Sequence, residues 1–212
     1  VMAVTLGSTR LLASGRLKGL RVGVVANPAS VDHTFSHIVD QVREADGVTL
    51  AAIFGPQHGF RSDLQDNMIE TPHAEDRARR VPVYSLYSET REPTAEMLAG
   101  LDVLVIDLQD IGARIYTFIY TMANCLRACG RHGVPVIVCD RPNPIGGVEV
   151  EGETLVRGFE SFVGLFPIPM RHGLTIGELA RLFNEQFALG ADLEVVPMDG
   201  WRRADFADDC RM

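Results

Sequence analysis

Five short segments of this sequence gather carboxylates, amides, arginines and a histidine beside glycines and prolines. They are Asn27-Pro28, FGPQHGF at 54–60, YSETREPT at 87–94, DLQDIGAR at 107–114 and DRPNPIGG at 140–147. Glycine and proline serve where a chain must turn tightly next to a ligand. The polar set suits glycoside cleavage. There a protonated carboxyl gives its proton to the leaving oxygen, while a second carboxylate, or the substrate's own amide, acts on the opposite face of the sugar ring. The acids available are Glu89, Glu92, Asp107, Asp110, Asp140 and, further on, Glu160. Asp107 stands where the chain leaves an apolar run, with Arg114 and Arg141 in potential reach. Such an acid would keep its charge and orient a sugar hydroxyl or a catalytic partner. Asp110 reads equally well as the N-terminal cap of a helix beginning near Arg114, where unpaired N–H groups favour a carboxylate. Of the histidines, His58 in PQHGF is the better placed and His172 in MRHG the other. A histidine in a loop orients a neighbour more often than it catalyses.

Other chemistries lack their residues. NPAS follows the first strand candidate, so the GxGxxG turn that brings a helix N-terminus to a pyrophosphate is missing, and neither GxxxxGK[ST] nor GxSxG occurs. Cys125, Cys129, Cys139 and Cys210 form no CxxC, and no HExxH accompanies the histidines, so neither a metal nor a cofactor is expected. Cys125 and Cys129 read as two small apolar residues on one helix face.

The elements that must position these groups alternate along the chain. Strand candidates are 21–26, 48–54, 81–86, 101–107, 134–139 and 193–197, mostly short apolar runs rich in Val and Ile, the pattern of parallel strands buried on both faces. Helix candidates are 35–45, 94–99, 114–132 and 175–189, the last opening on the capping-box pattern TIGE. Repeated βαβ units predict an α/β fold: a doubly wound, mainly parallel sheet in a Rossmann-like three-layer sandwich. Two insertions, 55–80 and 140–173, follow strands and exceed ordinary loop length. Ligands bind at the carboxyl ends of strands in such sheets, and all five polar segments belong to that edge.

At 212 residues with 46% hydrophobic and 23% charged content the chain can bury one large core. A formal net charge of −8 with no basic block excludes the electrostatic footprint of a nucleic-acid binder. No apolar run approaches the roughly 20 residues of a membrane span. The opening VMAVTLGSTRLL has neither a basic start nor a clean apolar run, so no secretory signal is legible. A genuine N-terminus implies a cytoplasmic protein; a trimmed one leaves a periplasmic or secreted location open.

Read in order, GLRVGVVANPASVD, FGPQHGF, PVYSLYSETREPT, DVLVIDLQDIGARIYTFIYTM, DRPNPIGG, GFESFVGLFPIPMRHGLTIGELA and VVPMDGW resemble the NamZ-like exo-β-N-acetylmuramidases over nearly the whole chain. The resemblance implies a Rossmann-like N-terminal domain over 1–200, with 201–212 opening a smaller C-terminal domain that lies outside this sequence. A cleft between the two would release N-acetylmuramic acid from the non-reducing ends of peptidoglycan fragments. The expected partner is therefore a small molecule, a muropeptide or muramic-acid-terminated glycan. Asp107, Asp110 or Glu160 is then the candidate acid, with His58 and Gln57 beside it. Arg114, Arg141 and Asn143 would bind the sugar and its lactyl carboxylate, which an arginine fork matches well. Asn27, Glu89, Gln109, Tyr116, Asp140 and His172 complete the expected binding set. Many relatives read FGPEHG where this sequence has Gln57. Either Gln57 only binds and another acid does the chemistry, or the protein is impaired. Two further readings stay open: a non-catalytic muropeptide-binding or sensing domain, and a hydrolase or transferase for another small substrate on the same fold.

Overall fold

Apolar runs bounded by glycine and polar turns become strands, and amphipathic stretches between them become helices. The computed structural model describes residues 2–57, 73–76 and 80–211. In chain order the elements are β1 (Met2–Ala3), α1 (Gly7–Ala13), β2 (Arg21–Ala26), α2 (Ile38–Glu44), β3 (Thr49–Gly55), β4 (Ala74–Asp76), β5 (Val81–Ser85) and α3 (Ala95–Leu98). They continue with β6 (Val103–Asp107), α4 (Phe118–His132), β7 (Val136–Cys139), α5 (Ile176–Gln186), β8 (Leu193–Val196), a single 3-10 turn (Ala207–Asp209) and β9 (Cys210–Arg211).

Seven strands form one sheet in the order β4-β5-β3-β2-β6-β7-β8, parallel throughout except for β4, which runs antiparallel to β5 at the edge. Numbered among themselves, the six parallel strands follow the order 3-2-1-4-5-6, the doubly wound arrangement whose direction reverses between its first and fourth strands, here β2 and β6. Alternate side chains point to opposite faces. Val22, Val24, Val103 and Val105 join Leu11, Ile38, Val39 and Val42 in a core under α1 and α2. Val25, Leu104 and Ile106 join the larger core under α3, α4 and α5, with Ile119, Met122, Leu126, Leu179 and Phe183. The outcome is a three-layer α/β sandwich.

Register sets the edge that matters. Ala26 pairs with Asp107, Ile106 with Val138, Gly55 with Ser85 and Val25 with Phe54, so β2, β3, β5, β6 and β7 all finish at one end of the sheet. Asn27, Asp107 and Asp140 therefore share an edge with Gln57 and with the loop after β5. His58 and most of the first insertion lie outside the described residues.

All six expected strands are present within two residues of their bounds. The helix expected from Arg114 starts instead at Phe118, because the backbone before it is used elsewhere. Ala113 bridges Arg171 and the Arg114 N–H bonds the Met170 carbonyl at 2.8 Å. Asp110 is accordingly not the cap of α4, whose N-cap is Thr117. The helix expected from Phe35 begins at Ile38, since Phe35 takes a left-handed conformation (φ 61°) in the preceding turn and His37 caps through its ring. At α5 the capping box is complete: the Thr175 hydroxyl accepts from the Glu178 N–H, and the Glu178 carboxylate accepts from the Thr175 N–H. No helix among the described residues is long and apolar enough to cross a membrane.

Candidate functional site

The crevice between β2 and β6 is where a doubly wound sheet ordinarily receives its ligand. Here its floor is filled by the protein's own polar groups. Asn27, the first residue past β2, extends the ladder with its side chain: Oδ1 accepts the Gln109 N–H at 3.2 Å and Nδ2 donates to the Gln109 carbonyl at 3.4 Å. The buried Ser30 hydroxyl lies 2.8 Å from Asn27 Oδ1, touches the Asp107 carbonyl and accepts the Asn27 N–H at 2.9 Å.

Arg141 locks this floor from the β7 side. Its side chain is 3% exposed and that of Asp107 1%. Nη1 donates to both Asp107 carboxylate oxygens at 2.9 and 3.0 Å, Nε to Gln109 Oε1 at 3.1 Å, and Nη2 to the carbonyls of Ala29 and Val31 at 3.1 and 2.6 Å. Every nitrogen of the guanidinium is thus engaged, through bonds to one carboxylate, one amide oxygen and two carbonyls. Gln109 is equally committed, its Nε2 donating to the carbonyls of Asp110 and Pro142.

One turn further, Asp110 and His172 form a buried pair. Asp110 Oδ2 accepts the Gly112 N–H at 2.9 Å and lies 3.1 Å from His172 Nε2. His172 Nδ1 accepts the Leu174 N–H at 3.1 Å, which leaves the ring proton on Nε2, directed at Asp110. Asp110 Oδ1 is buried, and among the described residues it has no hydrogen-bonding partner. Gly112 makes this turn feasible. Its φ is +85°, and a Cβ there would stand 2.4 Å from Asn143 Oδ1. Asn143 spends its side chain on the local fold, donating to the Leu174 carbonyl and accepting the Ile145 N–H.

Asp140 serves the first turn of α5. Its Oδ1 accepts the N–H groups of Arg141 and Gly177 at 3.1 and 2.8 Å, and a Cβ on Gly177 would press within 2.8 Å of that carboxylate. Burial pushes the Asp140 carboxyl above its ordinary range, opposed by the Gly177 N–H and the Thr175 hydroxyl.

The second insertion leaves β7 and crosses back over this edge. Arg114 ties it down, Nη1 donating to the carbonyls of Glu153 and Ile168 at 2.8 and 2.9 Å. The Tyr120 hydroxyl donates to the Arg114 carbonyl at 2.7 Å, and burial drives that phenol upward. Phe162 reaches the loop after β5, its ring 5.5 Å from Tyr87. Tyr116 is half-exposed with its ring edge-on to Phe118, Glu89 is exposed, and Gln57 sits half-buried in the turn closing β3. Glu160 is exposed, and the Gly158 N–H on its carboxylate holds it below the ordinary range. Glu92 turns away to α4, where Arg127 and Arg131 pair with it.

The model of the family described as exo-β-N-acetylmuramidase NamZ, N-terminal, matches residues 22–212. The chain belongs to that family. It is similar to the peptidoglycan β-N-acetylmuramidase NamZ of Bacillus subtilis, 49% identical over 197 residues that make up 93% of this chain and 47% of that protein. Two crystal structures of DUF1343 family proteins from Bacteroides fragilis share the fold. One has a TM-score of 0.88 at 42% identity, covering 96% of this chain and 52% of the other; the second has 0.81 at 30%, covering 95% and 54%. The chain thus spans about half the length of the relatives it matches.

Within this NamZ-family domain the edge brings together Asn27, Asp107, Gln109 and Arg141 as one network, and Asp110 with His172 as another. Asn143 and Asp140 lie beside them, and Glu89, Tyr116 and Glu160 are not joined to either by any hydrogen bond. Ser30 was not singled out by sequence, although an Asn-x-x-Ser directly after a strand is the spacing of a local side-chain turn. Arg91 was also passed over, despite lying inside a quoted motif. Among the described residues no three His, Cys, Asp or Glu side chains group as metal ligands. A separate concavity of about 480 Å³ between β1, α1 and Cys210, lined by Thr5, Thr9 and His33, contains none of the residues selected above.

Proposed function

We propose that the full-length protein is an exo-acting β-N-acetylmuramidase of cell-wall turnover, releasing N-acetylmuramic acid from the non-reducing ends of peptidoglycan fragments. The observation that carries this reading is the 49% identity to the Bacillus subtilis peptidoglycan β-N-acetylmuramidase, which extends over 93% of the chain. In this reading the strand edge is one wall of the cleft and a second domain supplies the other. Its support is twofold. The relatives are about twice as long, and the loops after β6 and β7 leave Ile111, Ile115, Val148, Val150, Val156 and Phe159 exposed. Residues 201–211, which we read as opening that second domain, meet the first through bonds from Gly147 N–H to the Arg203 carbonyl and from Ala207 N–H to the Pro144 carbonyl.

Of the three candidate acids, Asp110 fits best. Asp107 has both oxygens occupied by Arg141, and Glu160 is an exposed carboxyl held below the ordinary range, the opposite of what a proton donor needs. Asp110 has one oxygen oriented by His172 and Gly112 and the other, Oδ1, buried without a partner among the described residues, so the substrate must open the edge to reach it. Its carboxyl proton passes to the glycosidic oxygen as the bond from that oxygen to the anomeric carbon breaks. The anomeric carbon is then taken either by water that a second carboxylate deprotonates, or by the substrate's acetamido oxygen, forming an oxazoline that water opens as its proton returns to Asp110.

Gln57 favours one rival, a binding or sensing domain that kept the pocket and lost its acid. Turnover of a chromogenic β-N-acetylmuramic acid glycoside by the full-length protein separates the two: hydrolysis is expected, and binding without turnover selects the rival. Asp110→Asn should lower the rate by about 10²–10⁴-fold. If Gln57 replaced the acid, Gln57→Glu should raise it by a similar factor; an unchanged or lower rate makes Gln57 a binding residue.

A further inference from the structure

We propose that Arg91 reads the acidic substituent of the sugar, with the rings of Tyr87 and Phe162 holding its guanidinium in place. The proposal rests on the muramidase reading for the identity of the ligand. N-acetylmuramic acid differs from N-acetylglucosamine by a lactyl carboxylate, so a site that prefers it needs a cation with donors to spare on a protein of net charge −8.

Most arginines near the strand edge are committed. Arg141 is bonded through all three of its nitrogens, Arg171 is engaged by Glu151 and the Ile145 carbonyl while its Nε is buried without a partner among the described residues, and Arg114 has Nη1 held between two carbonyls of the second insertion. Arg91 differs. Its only polar partner among the described residues is the Ser88 carbonyl, 2.7 Å from Nη1. The Nε and Nη2 side, whose two parallel N–H groups match a carboxylate bidentately, has no acceptor among the described residues.

The guanidinium is nonetheless fixed. Its carbon lies 3.9 Å from the Tyr87 ring centroid and 5.5 Å from that of Phe162. Stacking fixes the plane of the fork and lowers the freedom lost when a ligand binds. The adjacent Glu92 does not neutralise it, being paired to Arg127 and Arg131 on α4. Arg91 follows β5, which ends beside β3 and the turn of Gln57. Phe162 comes from the same insertion that carries His172, so one segment links the cation to the Asp110 pair.

The test uses the full-length protein and its Arg91→Gln and Arg91→Lys variants. Affinities for free N-acetylmuramic acid and N-acetylglucosamine are measured by calorimetry, alongside KM and kcat on the chromogenic muramic acid glycoside. Wild type should bind the acidic sugar more tightly. Arg91→Gln should weaken that binding and raise KM by about ten- to hundredfold with kcat little changed, while N-acetylglucosamine binding stays constant. Arg91→Lys, which keeps the charge and the fold but not the fork, should fall between. A wild type without preference, a variant that retains it, or an equal loss on both sugars overturns the assignment. If calorimetry gives the expected pattern but wild type turns nothing over, the muramidase reading falls and Arg91 stands.

Discussion

A side chain whose nitrogens are all engaged by its own protein holds the fold together before it meets any ligand. Arg141 and Asp107 are candidates for binding and catalysis whose pair is buried, with every nitrogen of Arg141 bonded inside the protein. Removing one partner of a buried, hydrogen-bonded ion pair leaves an uncompensated charge. Arg141→Met should therefore lower the unfolding free energy by about 3–5 kcal/mol in urea titrations. Arg141→Lys should come close to the same loss, because an ammonium has three donors and cannot reach Gln109, Asp107 and two carbonyls together. Asp107→Leu combined with Arg141→Met should recover much of it, since the exposed cost is the orphaned charge. A single-variant loss under about 1 kcal/mol would mean that water enters and that the floor of the crevice is not closed.

At the scale of elements, what was legible in the sequence was what short-range pattern controls. RVGVVA is β2 residue for residue, and TIGE at 175–178 became a complete capping box, because both depend on groups within a few positions. The start of α4 was misplaced because Met170 and Arg171 take the backbone of Ala113 and Arg114, a pairing across two loops that no local window contains. The edge strand β4, the sequence AED, has no apolar alternation to betray it. For the candidate site, residue types and their shared edge were readable. Which donors are spent was not, since Arg141 finds its acceptors at Ala29, Val31 and Asp107, and Arg91 finds its second ring at Phe162. Asp140 at the head of α5 gives this scale its own test. A carboxyl whose folded pKa is raised binds its proton more tightly folded than unfolded, so ionisation costs stability as pH climbs from the unfolded value of about 3.9 through the folded one. Asp140→Asn keeps an oxygen for the Gly177 N–H and cannot ionise. Relative to wild type, its urea midpoint should improve as pH rises above about 3.9. A gap that widens the other way would mean the helix N-terminus favours the carboxylate more than burial penalises it.

At the scale of the whole molecule, the described residues close two cores on one sheet, and the proposed site lies along one edge of it. The sheet has helices on both faces and two buried cores, which predicts that the 212 residues fold by themselves. In the proposed reading the strand edge carries Asp110 and Arg91 on one wall, beside apolar residues such as Ile115, Val150 and Phe159 that stand in solvent. Glycoside cleavage requires groups on both faces of the sugar, and positioning the reacting atoms accounts for much of an enzyme's acceleration. The isolated chain should accordingly give a cooperative melt and no measurable hydrolysis of the chromogenic muramic acid glycoside, while the full-length protein hydrolyses it. The melt excludes misfolding as the cause of inactivity. Turnover by the 212 residues at the full-length rate would place the complete catalytic apparatus on this strand edge and remove the need for a second wall.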